Sequence, residues 1–288
     1  MRPSNLKTKI FLDGGDPRET EEIISLLGFL DGQTTNPTLI AKNPEARGRL
    51  ARGEKFTGPE VLDFYKKIVI EISRLIPNGS VSVEVSADKN TSAEEMFAQG
   101  IEMFSWIPNA HIKYPTTTAG LVAAEKSISA GMRVNLTLVF SEAQAAAIYN
   151  ATLGAKKGEV FISLFVGRLD DIGLNGMDLV KNIKKLYENG DGHVEILSAS
   201  LRTMAHFLDS LRCGADIATA PYKILKEWGE LGMPIPDDNK NAKPSALSLI
   251  PYQNLNINQS WREYDIYHEL TDKGLEKFAT DWNNLLKN

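Results

Sequence analysis

At 288 residues, 42% hydrophobic and 24% charged, the chain has the length of one large domain or two small ones, with ample apolar surface for a core and no low-complexity stretch. The formal net charge is -5 and Lys/Arg are interspersed with Asp/Glu, so there is neither a basic stripe for nucleic acid nor a polybasic amphipathic helix for a membrane surface. A small molecule is the expected partner.

The opening MRPSNLKTKIFLDGG has an apolar run too short for a signal peptide and broken by Asp13 and two glycines, which predicts a cytoplasmic protein. KIFLD (9–13) reads as a strand and PRETEEIISLLGFL (17–30) as a helix; DGQTTN (31–36) is the second strand. The charged stretch across 42–62, NPEARGRLARGEKFTGPE, reads as a solvated loop with room for one helical turn. Then come SVSVEVS (80–86), a helix over 94–107, HIKYP (111–115), a helix over 116–131, RVNLTLVF (133–140) and a helix over 141–155. VFISLFV (160–166), a helix over 177–190, HVEILSAS (193–200) and DIATAP (216–221) complete the alternation.

Eight strand runs separated by helical patterns predict an α/β fold, a (β/α)8 TIM barrel, as a single domain over 1–288. The segment 222–288 is expected to be a C-terminal helical extension, with YKILKEWGEL, WREYDIYHEL and DKGLEKFATDWNNLLK helical and a Pro- and Asn-rich connector over 233–245. It packs on the barrel or on a second subunit in this reading, with no chemistry of its own. The single cysteine, Cys213, excludes an internal disulfide and reads as a buried small hydrophobe. Histidines 111, 193, 206 and 268 lack metal-ligand spacing, and no nucleotide-binding or serine-hydrolase motif occurs, so neither metal nor cofactor is expected.

A barrel of this kind carries its site at the C-terminal ends of the strands. There the sequence offers Asp13, then Asn36 with Thr34, Glu84 with Ser82, Lys113, Asn135 and Thr137, Ser163 then Arg168, and Ser200 then Arg202. Charge in apolar strands is costly unless it is paired or meets a ligand. Lys113 is either a rim lysine with its head in solvent or, in a partly dry pocket, an amine free to attack a ketone and form an iminium. In the second case Asp13 is the candidate base, and Glu84, acting through Thr137, the acid-base partner. Asp13 could equally shape the turn at Gly14-Gly15, Glu84 could be a structural partner of the lysine, and Asn36 could shape the turn before Pro37. Otherwise Asn36 or Asn135 bonds substrate hydroxyls or the lysine. Arg168 and Arg202 read either as surface ion pairs or, with Ser200, as an anion site.

The stretches DGQTTNPTLIAKNP, SVEVSAD, IKYPTTTAGL, VNLTLVFSEAQA, ISLFVGRLDDIG, ILSASLR, GADIATAPYKIL and LTDKGLEKFATDW resemble, in the same order, the transaldolase family. The resemblance covers nearly the whole chain apart from about 42–62 and 232–268. It implies a class I, cofactor-free aldolase-type barrel with Lys113 as its Schiff-base lysine, Asp13 as proton acceptor, Glu84 as water-linked acid-base residue and Thr137 as its partner. It further implies that Asn36 and Asn135 bind the dihydroxyacetone part or position the lysine, and that Ser163, Arg168, Ser200 and Arg202 contact substrate hydroxyls and phosphate. Thr34 belongs to the same substrate-binding set. The family holds both transaldolases and fructose-6-phosphate aldolases. Glu84 and Phe165 stand where transaldolases carry Glu and Phe and the aldolases Gln and Tyr, which favours transfer of dihydroxyacetone between sugar phosphates, as in the pentose phosphate pathway, over its release. Leu164, where proline is common, and Tyr114 after the lysine depart from the family pattern.

Overall fold

The computed structural model describes residues 2–236 and 246–287. The strands are β1 (Lys9–Asp13), β2 (Gly32–Thr34), β3 (Ser80–Glu84), β4 (Ala110–Pro115), β5 (Val134–Val139), β6 (Val160–Phe165), β7 (Val194–Ala199) and β8 (Ile217–Ala220). They pair in parallel in sequence order and β8 returns to β1, closing a (β/α)8 barrel. Every one falls within a run expected to be a strand, give or take a residue at its ends.

Helices cover the outside. α1 (Pro17–Leu27) follows β1; α2 (Pro37–Ala41), α3 (Pro44–Ala51) and α4 (Gly58–Leu75) follow β2; α5 (Ala93–Phe104) follows β3. α6 (Thr118–Ser129) and α7 (Glu142–Ala151) follow β4 and β5, while α8 (Val166–Asp170) and α9 (Gly176–Tyr187) follow β6. α10 (Met204–Arg212), α11 (Tyr222–Glu230) and α12 (Glu269–Asn283) complete the order. Their starts are set locally. Asp16 accepts from Arg18 N ahead of Pro17 in α1, and Thr57 with Glu60 and Ser92 with Glu95 form capping boxes at α4 and α5.

Three expectations are corrected here. The stretch 42–62 is not a solvated loop: Asn43 caps α3, and the Thr57 capping box opens the long α4 within it. Charge there reflects the solvated faces of helices, not a lack of structure. WREYDIYHEL is not a helix either. It forms one 3-10 turn, Trp261–Glu263, because Ser260 caps only that turn and Tyr264 is already extended. Cys213 is half-buried at the C-cap of α10, a helix end where solvent reaches, not a core position. Of the connector expected over 233–245, residues 237–245 lie outside the described residues.

Alternation along the strands divides the barrel interior into storeys. The lower one is aromatic. Phe11 meets the edge of Phe161 with ring centroids 6.0 Å apart, and His111 stacks on Phe161 at 4.0 Å. Gly32 makes room for this plug, since a Cβ there would lie 2.4 Å from the Phe11 ring. Burial holds the His111 imidazole down at about 3, and its Nε2–H donates to the Gly158 carbonyl at 2.9 Å, the neutral form. One step up each strand the interior turns polar: Asn135 donates to Ser82 Oγ at 3.0 Å and accepts from Ser163 Oγ at 2.8 Å. Among the described residues, no helix is long and apolar enough to cross a membrane, and no group of three or more His, Cys, Asp or Glu could hold a metal ion.

Candidate active site

Lys113 lies near the C-terminal end of β4, in register with Glu84 on β3 and Asn135 on β5. The rim-lysine alternative does not hold, since the residue is 3% exposed and its head stays inside the barrel. Its Nζ is 2.8 Å from Glu84 Oε2, an ion pair whose angles fall outside hydrogen-bond geometry, and it donates at 3.1 Å to the Thr35 carbonyl. Glu84 is equally buried. Desolvation pushes its carboxyl above the ordinary value, and the Lys113 charge only partly offsets this. The two charges therefore face each other inside the barrel, away from solvent.

Above the pair opens a cavity of about 260 Å³ at the C-terminal mouth of the barrel. Asp13, Thr34 and Thr219 line one side, with Lys113 and Ser163 below them. Asp13 Oδ1 accepts from Thr34 Oγ1 at 2.6 Å, and Thr34 Oγ1 is 2.7 Å from Thr219 Oγ1. Desolvation raises the Asp13 carboxyl above its ordinary value, against the Thr34 hydrogen bond and the Lys113 and Lys42 charges that lower it. Asn36 also lines the cavity, but its side-chain oxygen is committed to capping α2, accepting from Leu39 N at 2.9 Å. The turn-forming role considered for it is therefore real, and only its amide NH2 is left for a ligand.

The cavity wall is also cationic. Arg168 sits in α8 with its guanidinium flanked by the Phe165 ring at 5.2 Å and the Phe278 ring at 5.6 Å, and no carboxylate pairs with it among the described residues. With its faces covered, the N–H edge is what remains for an anion. Desolvation and then the neighbouring Arg202 charge lower its proton affinity, the direction that a bound anion would reverse. Arg202 is half-exposed and paired with Asp171, so for this arginine the surface ion pair exists as well as the place in the cavity wall. Ser200, which also lines the cavity, is in a left-handed conformation, φ 56°, a strain of the kind found at functional sites.

Thr137 and Asn135, on β5, are fully buried and do not line the cavity. The Thr137 hydroxyl has no hydrogen-bond partner among the described residues. The strands thus bring all the residues singled out from the sequence to one end of the barrel. Sequence reasoning missed Thr219, Thr35, Lys42 and, above all, Lys277 and Phe278, which α12 places in the cavity wall. Of the two placements expected for the tail, on the barrel or on a second subunit, α12 takes the first, and it adds side chains to the cavity wall. α12 is held there by Thr271, which donates to the Leu138 carbonyl at 2.9 Å and accepts from Gln144 Nε2 at 2.9 Å, and by Thr38 bonding Asp281.

Residues 10–288 match the family model described as Transaldolase/Fructose-6-phosphate aldolase. The probable transaldolase of Paracoccus denitrificans (strain Pd 1222) is 35% identical over 274 residues, covering 95% of this chain and 96% of its own. That of Dehalococcoides mccartyi is 33% identical over 279 residues, 97% of this chain and 100% of its own, and that of Brucella ovis 36% over 274 residues, with 95% and 96% covered. A solved structure, 3-hexulose-6-phosphate synthase from Salmonella typhimurium, has 12% identity and a TM-score of 0.46 over 79% of this chain and 99% of its own, too distant to bear on activity.

Proposed function

Because the chain belongs to the transaldolase/fructose-6-phosphate aldolase family, we propose that it transfers a dihydroxyacetone unit from a ketose phosphate, of the sedoheptulose 7-phosphate or fructose 6-phosphate type, to an aldose phosphate through a Schiff base on Lys113. The observation that carries this reading is a lysine buried in the fourth strand, facing a cavity lined by the Asp13 carboxylate and by the Arg168 guanidinium, with which no carboxylate pairs among the described residues.

Lys113 Nζ gives its proton to Glu84, whose burial favours the protonated carboxyl, and attacks the ketose C2 carbonyl. Glu84 then protonates the departing hydroxyl of the carbinolamine, and Thr137, with its unpartnered hydroxyl, handles the same water. The iminium withdraws electrons from the C3–C4 bond as Asp13 accepts the 4-hydroxyl proton, and the first aldose leaves. The enamine that remains attacks the acceptor aldehyde, with Asp13 returning the proton, and hydrolysis frees the lysine. Ser163, Asn135 and the Asn36 amide bond the three-carbon unit, Thr34 holds Asp13 in place, and Arg168, Arg202 and Ser200 take the terminal phosphate. Glu84 and Phe165, standing where the resemblance gives transaldolases Glu and Phe, favour transfer over release.

The test is borohydride trapping with fructose 6-phosphate, followed by peptide mass mapping. A three-carbon adduct on Lys113, absent from Lys113→Ala, is the expected result, and turnover should then depend on added erythrose 4-phosphate. Folded protein with no adduct from any ketose sinks the Schiff-base reading. Rapid release of free dihydroxyacetone without an acceptor turns it into the aldolase.

A further inference from the structure

The β2–β3 ladder carries an irregularity at the height of the candidate nucleophile. Thr35 N–H donates to the Ser82 carbonyl at 3.1 Å, the last rung of regular parallel pairing. In a continued parallel ladder the next rung would run from Glu84 N–H to the Thr35 carbonyl. Glu84 N–H donates elsewhere, to Tyr65 Oη at 2.9 Å, from a helix on the outside of the barrel. Tyr65 Oη is in turn 2.6 Å from Thr35 Oγ1, and Thr35 Oγ1 donates to the Ser82 carbonyl at 2.7 Å. Each hydroxyl has one proton, so the direction is fixed: Glu84 N–H to Tyr65, Tyr65 O–H to Thr35, Thr35 O–H to Ser82. The Thr35 carbonyl, released from the ladder, is the group that accepts from Lys113 Nζ.

We propose that Tyr65 is a positioning residue for this reaction: by taking the place of the missing rung it fixes the Glu84 backbone and frees the Thr35 carbonyl to hold the Lys113 amine. The assignment rests on Lys113 being the nucleophile. Tyr65 is built for a fixed task. It is fully buried, its ring is wedged edge-on between Trp106 and Trp282 at 5.9 Å from each, and burial raises its phenol so that the hydroxyl keeps the proton the relay requires. An aromatic core residue needs no such chain of bonds to a strand edge. Without the hydroxyl, Glu84 N–H is a buried donor whose nearest ladder partner is the Thr35 carbonyl, and closing that rung competes directly with Lys113 for the same oxygen.

The experiment compares wild type, Tyr65→Phe and Thr35→Val by steady-state kinetics, by the rate of borohydride trapping with fructose 6-phosphate, and by thermal unfolding. Tyr65→Phe keeps the ring and its packing. Its kcat and trapping rate should fall together by about tenfold or more, while KM stays within about threefold because the cationic wall is untouched. Thr35→Val keeps the carbonyl but breaks the relay, so it should move the same two rates in the same direction, and it decides the matter by the same criteria should Tyr65→Phe not fold. A lowered melting temperature with kcat and trapping rate within about twofold of wild type would make Tyr65 a packing residue and overturn the assignment. Absence of any adduct on wild-type Lys113 would remove the Schiff-base reading itself, and this assignment with it; an adduct on wild type with an unaffected Tyr65→Phe removes the assignment alone.

Discussion

At the residue scale the proposed chemistry rests on carboxyls that burial has made reluctant to ionise. Asp13 should act as a base only above a pH higher than an ordinary aspartate would set, so kcat should decline on the acid side as that carboxyl takes up a proton. Asp13→Asn should lower kcat by about 100-fold or more and abolish that acid limb, yet still form the Lys113 adduct, as pH-rate profiles and trapping would show. The sign for stability is opposite. A carboxyl with a raised folded value binds its proton more tightly in the folded chain, and its ionisation costs stability as pH rises through that window, so the variant should unfold at higher urea near neutral pH. Asp13, Glu84 and Lys113 were legible in the sequence because charge in an apolar strand is expensive and so conspicuous. Thr219 was hidden by its ordinary chemistry within IATA, and Tyr65 by sitting on the core face of an amphipathic helix, where an aromatic ring needs no explanation.

At the element scale, α12 acts as a wall of the site. Phe278 covers one side of Arg168, and Gly274 lets the helix approach: a Cβ there would lie 2.5 Å from Leu138 Cδ2 and 2.6 Å from Arg168 Nη1. Phe278→Ala should raise KM for fructose 6-phosphate about tenfold, with a much smaller effect on unphosphorylated fructose and on kcat, since a flanking ring contributes about 1–2 kcal/mol to holding a guanidinium. Equal effects on both sugars in steady-state assays would argue against this. The helix itself was readable from its periodicity; its destination was not, because docking depends on the Thr271 and Asp281 contacts, which no local pattern encodes. Gly274 was the available hint, as a glycine inside a helix costs about 1 kcal/mol unless something packs close. The 42–62 stretch failed differently. The Thr57–Glu60 capping box was present in the letters, and the density of charge obscured it.

At the scale of the whole molecule, the alternation of strand and helix was enough to read the barrel, since parallel strands with right-handed crossovers leave few other closures. The polar upper storey followed from the strand ends, but the aromatic plug beneath it required knowing which alternate residues point inward. That plug has a cost in acid. Between 6.5 and about 3 the unfolded chain protonates His111 while the folded one excludes the proton, so stability falls as pH falls, by up to about 1.4 kcal/mol per pH unit. His111→Leu should flatten that decline, seen as a smaller difference between urea midpoints at about pH 4.5 and about pH 7. The same plug governs traffic. With Phe11, His111 and Phe161 packed across the interior below Lys113, the sugar of the proposed reaction reaches the amine from the mouth and departs by the way it came. Two aldoses cannot pass each other in such a blind well, so the first must vacate it before the second can enter. In the proposed reaction the three-carbon fragment then waits alone on the lysine between those events, and the floor of the barrel imposes an order on chemistry in which it takes no part.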